Sequence, residues 1–290
     1  KNIHICGDRN SCSKTDNDAT FMRLKEDAMG NGQLKPAFNL QHGVDSEYVT
    51  WLTIGPQPTD TTTLIPFLKD AQQHLKFKYK NVTADAGYES EENYLFLEKN
   101  GQVAFIKPAN YEISKTRKYK NDIGKIDNMN YDEESDTYVC KNNKRLIVDH
   151  IKKGKSKTGY ISEKTVYKCE NCCECPYKSE CIKGNNCNTP LEDRTKTLYV
   201  AKTFIEKRKE DLERIISDEG TLYRMNRSIQ AEGSFGDIKQ DMKFRRYLSR
   251  GTANVLAEST LLAIARNINK LHNKIQNGRT GTHLFPLKSA

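Results

Sequence analysis

The sequence predicts an α/β fold, a mixed sheet flanked by helices and interrupted by a cysteine-rich insertion. Between residues 37 and 106 the candidate elements follow the order β-β-α-β-α-β, a strand pair followed by alternating units. From Pro108 to about Pro190 the composition changes to lysine and asparagine, and six of the nine cysteines fall between Cys169 and Cys187. Three helical stretches then follow, which returns the chain to the pattern of a packed domain.

The first half of the chain supplies most of the predicted sheet. Apolar and polar residues alternate over residues 37–54, and a break at 43–46 predicts two adjacent antiparallel strands. Pro56 and Pro58 end the second strand, and Thr59 or Asp60 is suited to cap a helix that reaches about Leu75. Residues 1–35 have no clear period and predict a loop or extended arm. The remaining predicted elements are a strand at 81–85, a helix at 90–100 and a strand at 102–106.

The second half is predicted to hold a small subdomain and then helices. Short β-like pieces at 137–139, 145–148 and 165–167 lie in the cysteine-rich part, and helices are predicted at 203–216, 226–239 and 253–271. We expect the last of these to bury an apolar stripe with helical spacing, formed by Leu261, Ile264, Ala265, Ile268 and Leu271. The predicted boundaries are 1–107 for the first part of the domain, 108–200 for the insertion, 201–275 for the helical part and 276–290 for a loose tail.

Composition and charge point towards nucleic acid. The net charge is +9 with a pI near 8.9, which is mildly typical of proteins that bind polyanions, although a merely basic protein remains an alternative. No apolar run approaches the ~20 residues of a membrane helix. The start lacks both an initiator Met and a signal peptide, so we expect a fragment of a longer protein in a reducing compartment.

A one-sided strip, in which Asp241 is the lone acid and Phe244 and Tyr247 are interleaved, is the strongest candidate for DNA contact. Its basic residues are Lys239, Lys243, Arg245, Arg246 and Arg250.

Two carboxylates have the placement that a metal-dependent site requires. Asp85 ends a short apolar strand, at the edge where open α/β folds place their sites, although Asp85 followed by Gly87 also suits an ordinary turn. Glu232 and Lys239 are seven residues apart, so a regular α-helix would present both on one face, roughly 10 Å apart. The alternative is a solvated surface pair. Gly233 and Gly236 argue against that alternative, because glycine lowers helix propensity and close packing against a sheet or DNA would explain both.

The cysteine run predicts a metal site. Cys169, Cys172, Cys175 and Cys181 have spacings that suit zinc bound by four thiolates, with Cys140, Cys173 and Cys187 nearby. An iron–sulfur cluster and an unliganded set of thiols remain alternatives. We expect Cys6 and Cys12 to be ordinary loop thiols.

Seven motifs, in order, resemble transposases of the IS1182 group, among the IS4-related DDE enzymes. Three carry most of the likeness, namely residues 83–88 (TADAGY), 232–239 (EGSFGDIK) and 244–251 (FRRYLSRG). The others are residues 14–19, 29–35, 58–64 and the cysteine run, so the likeness extends from about residue 8 to residue 272.

The resemblance implies an RNase H-like catalytic fold in which an acidic triad holds two Mg²⁺ or Mn²⁺ ions and cuts and joins DNA. Asp85 would be the second aspartate, Glu232 the final glutamate and Lys239 the lysine of the signature. Such proteins act in the bacterial cytoplasm on double-stranded DNA, usually as dimers on paired transposon ends.

Two departures from the family pattern are present. Ser228 stands where the family has an arginine, with Arg227 and Tyr223 available but out of step. The first aspartate and its strand have no counterpart, because Asp16 and Asp18, the only early substitutes, lie in a polar loop. We therefore expect an N-terminally truncated chain that binds DNA without cutting it. A non-catalytic DNA-binding remnant is the rival hypothesis, and an unrelated cysteine-based metal or redox protein is the third.

Overall fold

A computed structural model describes residues 6–7, 9–23, 30–184 and 188–281. The chain divides into two units. Unit one consists of Lys1–Ile106 and Glu213–Ala290, and unit two consists of Lys107–Leu212.

The described part of unit one holds six strands that hydrogen-bond as three pairs. These are β1 (Thr20–Arg23) with β2 (Leu34–Ala37), β3 (Asn39–Asp45) with β4 (Tyr48–Gly55), and β5 (Asn81–Ala84) with β6 (Val103–Ile106). The first two pairs are antiparallel and the third is parallel. The mixed α/β character is thus confirmed, whereas a single continuous sheet is not seen among the described strands, and an RNase H-like arrangement stays a prediction.

The helices of unit one lie near the predicted segments, with two corrections. The first helix begins at Leu64 after a 3₁₀ turn at Asp60–Thr62, so neither Thr59 nor Asp60 caps it, and the predicted helix at 226–239 contains π-helical segments. The parallel pair β5–β6 is joined by a helix that Ser90 caps by accepting from the backbone N–H of Asn93, as its N-cap position favours. The helices that contribute to unit one are α1 (Leu64–Leu75), α2 (Glu91–Lys99), the C-terminal end of α5 (Lys202–Ile216), α6 (Asp218–Arg227), α7 (Gly233–Gly236) and α8 (Thr252–Gln276). Leu97, Ile106, Ile215 and Val255 are completely buried and mark the core.

Unit two is built on a five-stranded antiparallel sheet in the order β11-β10-β9-β8-β7. Its strands are β7 (Asn130–Asp132), β8 (Thr137–Val139), β9 (Arg145–Lys155), β10 (Ile161–Cys169) and β11 (Thr197–Val200). Its short helices are α3 (Arg117–Lys120) and α4 (Lys178–Cys181). One face buries Tyr138, Leu146 and Tyr167 against Leu198 and Val200. The three predicted strand pieces are confirmed, and two of them extend into a long β9–β10 hairpin.

Three predictions about local structure are wrong. Residues 1–35 contain the paired strand β1 as well as the start of β2, so this segment is not only a loop. Cys6 and Cys12 form a disulfide across the turn at Gly7, so they are not free thiols. The apolar stripe of α8 is solvent-exposed in the chain, since Leu261 is 68% exposed and Ile268 64%.

Candidate active site

Asp85 lies between a strand and a tight turn. Strand β5 ends at Ala84, and a 3₁₀ turn follows at Ala86–Tyr88. Asp85 caps that turn, because its Oδ1 accepts a hydrogen bond of 2.8 Å from the backbone N–H of Gly87. The residue therefore does begin a turn, as the alternative interpretation held, and it also occupies the strand end predicted for a catalytic carboxylate.

A second carboxylate, which the sequence analysis missed, lies beside Asp85. The Oδ1 atom of Asp60 accepts from the side-chain amides of Asn39 at 2.7 Å and Gln41 at 3.2 Å. A Cβ built on Gly87 would lie 3.0 Å from Asp60 Oδ2 and 3.1 Å from Asp85 Oδ1. The two carboxylates therefore line the same small space above a glycine. The sequence did contain a signal for this arrangement. Asn39 and Gln41 are two residues apart on one strand, so their amide side chains lie on the same face.

Tyr88 and Arg227 complete this group of polar and charged side chains. The Tyr88 hydroxyl donates to Oε1 of Gln41. Burial raises the pKa of Tyr88 well above its ordinary value, and the nearby charges of Asp60 and Asp85 raise it further, whereas Arg227 lowers it. Tyr88 therefore stays protonated at neutral pH and acts as a hydrogen-bond donor beside two carboxylates and a guanidinium.

Glu232 reaches the same group through Arg227. The Arg227 guanidinium lies 3.5 Å from Glu232 Oε1, and the Glu232 side chain is 69% exposed. Arg227 thus provides a guanidinium near the glutamate, although Ser228 occupies the position at which the family has arginine. Tyr223 lies one turn away, where its hydroxyl accepts from Asn81 at the start of β5 and donates to Glu219.

The helix that carries Glu232 is not a regular α-helix. Two π-helical segments, Ser228–Glu232 and Asp237–Asp241, flank α7. The expectation that Glu232 and Lys239 share a face assumed α-helical geometry, and the second π segment changes the phase between them, so that derivation fails. Single π turns inside α-helices are frequent at functional sites. Lys239 is exposed.

Contacts with β3 hold the π-containing helix in place. The His42 ring stacks on Phe235 with centroids 4.2 Å apart, and its Nδ1 lies 3.1 Å from the Ser234 hydroxyl. Burial lowers the pKa of His42 to about 4, with a further contribution from the charge of Arg266, so the imidazole is neutral near pH 7. Gln230 adds a second tie by accepting from the backbone N–H of Glu47 in the β3–β4 turn.

Gly233 and Gly236 are open to solvent rather than closely packed. A Cβ at either position would meet no atom of the described chain within 4 Å. Packing against the sheet therefore does not explain these glycines, and close approach of DNA stays a prediction.

The basic strip forms an irregular segment between the π-containing helix and α8. Lys243, Arg245, Arg246 and Arg250 are all exposed. The segment is anchored rather than loose, because the Glu258 carboxylate accepts from the backbone N–H groups of Leu248 and Ser249.

The early aspartates have a structural role. Asp16 accepts from the backbone N–H of Gly251, and Asp18 accepts from that of Thr252 at 2.8 Å. Both therefore bind the N-terminus of α8, where N–H groups lack helical partners. The hydrogen bonds from Thr252 lower the pKa of Asp18. This geometry argues against either residue as the first catalytic aspartate that the resemblance implies.

The cysteines of unit two converge on one small cavity. Burial raises the pKa of the Cys169 thiol to about 12, and a hydrogen bond with Cys172 adds to this rise. Cys187 lies outside the described residues. The cavity is lined by Cys140, Cys169, Cys172, Cys175 and Cys181.

No metal site is already assembled in the described part of the chain, where no three His, Cys, Asp or Glu side chains have the arrangement needed to hold an ion. The predicted approach of Asp85 and Glu232 to metal-bridging distance stays a prediction. No helix within the described ranges is long and apolar enough to cross a membrane.

Residues 139–272 match the family model described as a transposase DDE domain. The match supports a DDE transposase. It covers the cysteine cavity, the π-containing helix with Glu232 and Lys239, and the basic strip, whereas Asp85 lies before it. A DDE transposase domain implies DNA cleavage and transfer in transposition, with divalent metal ions as the usual cofactors. No curated protein and no solved structure matches the chain significantly.

Proposed function

We propose that this chain provides the carboxylates of a DDE transposase site at Asp85 and Glu232, for divalent-metal-dependent cleavage and transfer of DNA strands. The observation that carries the proposal is the set of charges around Tyr88. Asp60 and Asp85 line one small space beside Gly87, the charges of both and of Arg227 shift the pKa of Tyr88, and Arg227 lies 3.5 Å from Glu232 Oε1. These contacts between residues that lie far apart in the sequence support a shared site.

The donor atoms suit a hard divalent cation. Mg²⁺ and Mn²⁺ prefer oxygen ligands. Asp60 and Asp85 offer carboxylates beside Gly87, and Glu232 offers a third carboxylate next to Arg227. When bound, two such ions activate the attacking oxygen and stabilise the leaving oxygen. Tyr88 contributes a fixed hydroxyl donor, and Arg227 balances the carboxylate charge until a cation replaces it. We assign Asp60 here either as a third ligand or as the residue that orients Asp85.

DNA would lie along the exposed helix and the strip that follows it. Gly233 and Gly236 leave the surface beside Glu232 without side chains, so a phosphate backbone can approach closely. Lys239, Lys243, Arg245, Arg246 and Arg250 supply positive charge on the same stretch of chain, so binding should weaken steeply with salt. The IS1182 group and a homodimer on paired double-stranded ends are the finer assignments that we draw from the motifs.

The test measures metal binding and strand cleavage separately. Mn²⁺ binding to the 290-residue chain should be followed by electron paramagnetic resonance for wild type, Asp85→Asn, Glu232→Gln and Asp60→Asn. Asp241→Asn is the matched control, since it removes an exposed acid from the same helix. We expect binding to fall at least about tenfold, or 1.4 kcal/mol, in the Asp85 and Glu232 variants and to be unchanged in the control. Unchanged binding in Asp85→Asn would remove Asp85 from the site.

Cleavage then separates the enzyme from the DNA-binding remnant. Mg²⁺-dependent nicking of supercoiled DNA that disappears in Glu232→Gln would support the enzyme. Because the sequence provides no counterpart of the first aspartate that the resemblance implies, the expected result for this chain is DNA binding without nicking. Nicking should be restored when a strand carrying such an aspartate is added ahead of Lys1. Salt-sensitive DNA binding without nicking in either form would favour the remnant.

A further inference from the structure

The cysteine cavity of unit two is a site that strand cleavage does not use. Its volume is about 20 Å³, room for one water-sized occupant and far too little for an organic ligand. Neither histidine nor carboxylate lines it, so sulfur is its main donor element. Soft thiolate donors without imidazole or carboxylate favour zinc or an iron–sulfur cluster over Mg²⁺ or Ca²⁺.

The fold brings these thiols together from separate segments. Cys140 follows β8, in a turn closed by hydrogen bonds from Cys140 N–H to Lys144 O and from Asn143 N–H to Cys140 O. Cys172 and Cys175 lie in the loop after β10, and Cys181 ends α4. Lys196 ties two of these segments together, because its backbone N–H donates to Cys172 Sγ at 3.4 Å and its Nζ donates to Cys181 O at 3.2 Å.

Five thiols line the cavity, and Cys140 suits the ligand set better than Cys169. Cys140, Cys172, Cys175 and Cys181 all line it. All four are partly exposed, whereas Cys169 is 4% exposed within the core and its Sγ donates to the carbonyl of Asn171 at 3.5 Å. Cys169 therefore packs in the core, and its thiol proton is donated to a hydrogen bond.

These thiols are also free to bind. All six described cysteines of unit two are reduced, although several line one cavity. The adjoining core of Tyr138, Leu146 and Tyr167 packs directly against Cys140, Cys172 and Cys181, so an ion here would fasten the loop and α4 to the sheet.

We propose that Cys140, Cys172, Cys175 and Cys181 bind one structural Zn²⁺ that fastens the cysteine loop to the sheet of unit two. On binding, the thiols release their protons to solvent and each sulfur donates an electron pair to the ion, with Zn–S distances near ~2.3 Å. The sulfurs draw together from their present spacing, and the cavity offers the room for one ion. This ligand set replaces Cys169 of the sequence-based prediction with Cys140.

The test uses the purified full chain, because both ligand identity and folding must be read in the same molecule. Metal analysis after dialysis should find about one zinc per chain, and Co²⁺ exchange should give the visible bands of a tetrahedral thiolate site. Cys140→Ser should lower zinc affinity by more than about 100-fold, beyond the 10–100-fold typical of residues outside the ligand shell. Cys169→Ala and Cys173→Ser are the matched controls and should each retain about one zinc.

Cys140→His distinguishes a ligand from a packing residue. Three cysteines and one histidine form a common zinc set, so this variant should regain zinc and show a shifted Co²⁺ spectrum, whereas a purely structural loss would persist. Zinc retained in Cys140→Ser but lost in Cys169→Ala would overturn the ligand set in favour of the sequence-based one. Bound iron with visible absorbance, a disulfide among these cysteines, or metal-free folded protein in the presence of zinc would overturn the proposal altogether.

Discussion

Replacing Arg266 by alanine should loosen the helix that carries Glu232. Arg266 lies on α8 and is 3% exposed. Its Nε and Nη2 atoms lie 3.1 and 3.0 Å from Asp237 Oδ2, and its Nη1 donates to the carbonyl oxygen of Glu47. One guanidinium therefore joins the π-containing helix, α8 and the β3–β4 turn.

The contacts give the size of the effect. Removing one partner of a buried ion pair costs about 3–5 kcal/mol, but Asp237 is 30% exposed and keeps Lys270 at 3.8 Å, so water and lysine offset part of this loss. The Glu47 carbonyl also loses its charged donor, which adds about 1 kcal/mol. We therefore expect the free energy of unfolding to fall by about 2–4 kcal/mol. With a urea slope of about 2 kcal/mol/M, the midpoint should fall by about 1–2 M.

Urea unfolding followed by tryptophan fluorescence measures this change in unit one, which contains Arg266. Trp51 is the single tryptophan, and it lies on β4 in unit one, stacked on His74. Asn269→Ala, an exposed change on the same helix, is the control and should shift the midpoint by less than ~0.3 M. A double-mutant cycle with Asp237→Ala should return about 1–3 kcal/mol of coupling. A loss below ~0.5 kcal/mol for Arg266→Ala, or no coupling, would refute the assignment of this contact as a main fastening of the helix.

Three further predictions follow from hydrogen bonds and pKa shifts. The pKa of His42 is lowered in the folded state to about 4, so stability is complete above about pH 6.5 and is lost as pH falls towards 4. His42→Gln should flatten the urea midpoint across that window, and an unchanged pH slope would contradict the shift. Asp18→Ala should cost about 1 kcal/mol by removing the acceptor of Thr252 N–H, whereas Asn17→Ala should cost less than half of that in the same urea assay. The hydrogen bond from Lys202 lowers the pKa of Asp136 to about 2, so unit two should lose stability as pH falls from about 4 towards 2. Acid unfolding followed by circular dichroism should show that loss in wild type and a smaller one in Asp136→Asn, and equal losses would count against the ion pair.

The sequence predicted the elements whose periodicity is set by local chemistry. The β3–β4 pair, helix α2 and the parallel strands β5 and β6 are all confirmed near their predicted positions. In each, alternation or a capping residue such as Ser90 determines the backbone without help from distant contacts. The metal site predicted from the cysteine run stays a prediction. The spacing of CxxC motifs does not include Cys140, which reaches the same cavity from the end of β8.

The chemistry of the candidate site was only half visible for the same reason. Asp85 and Glu232 stand in motifs, so residue type and position identified them. Asp60 also lies in a motif, residues 58–64, but it was predicted only as a helix cap. Its place beside Asp85 depends on Asn39 and Gln41 of β3, whose side-chain amides donate to its carboxylate. The π segments were also invisible, because a helical pattern read at 3.6 residues per turn cannot show where a turn widens.

The exposed stripe on α8 shows how polar groups can override an apolar pattern. Apolar spacing alone predicted that Leu261 and Ile268 would face the core, yet both are exposed. The opposite face is buried because Asn267 pairs with both backbone groups of Val49, accepting from its N–H at 2.9 Å and donating to its C=O at 2.8 Å. Those groups would otherwise be unpaired in the contact between β4 and α8, at about 1–3 kcal/mol each. Arg266 lies on the same side of α8 as Asn267. The hydrogen bonds to Val49 and the ion pair that holds the Glu232 helix therefore both favour burial of this one face.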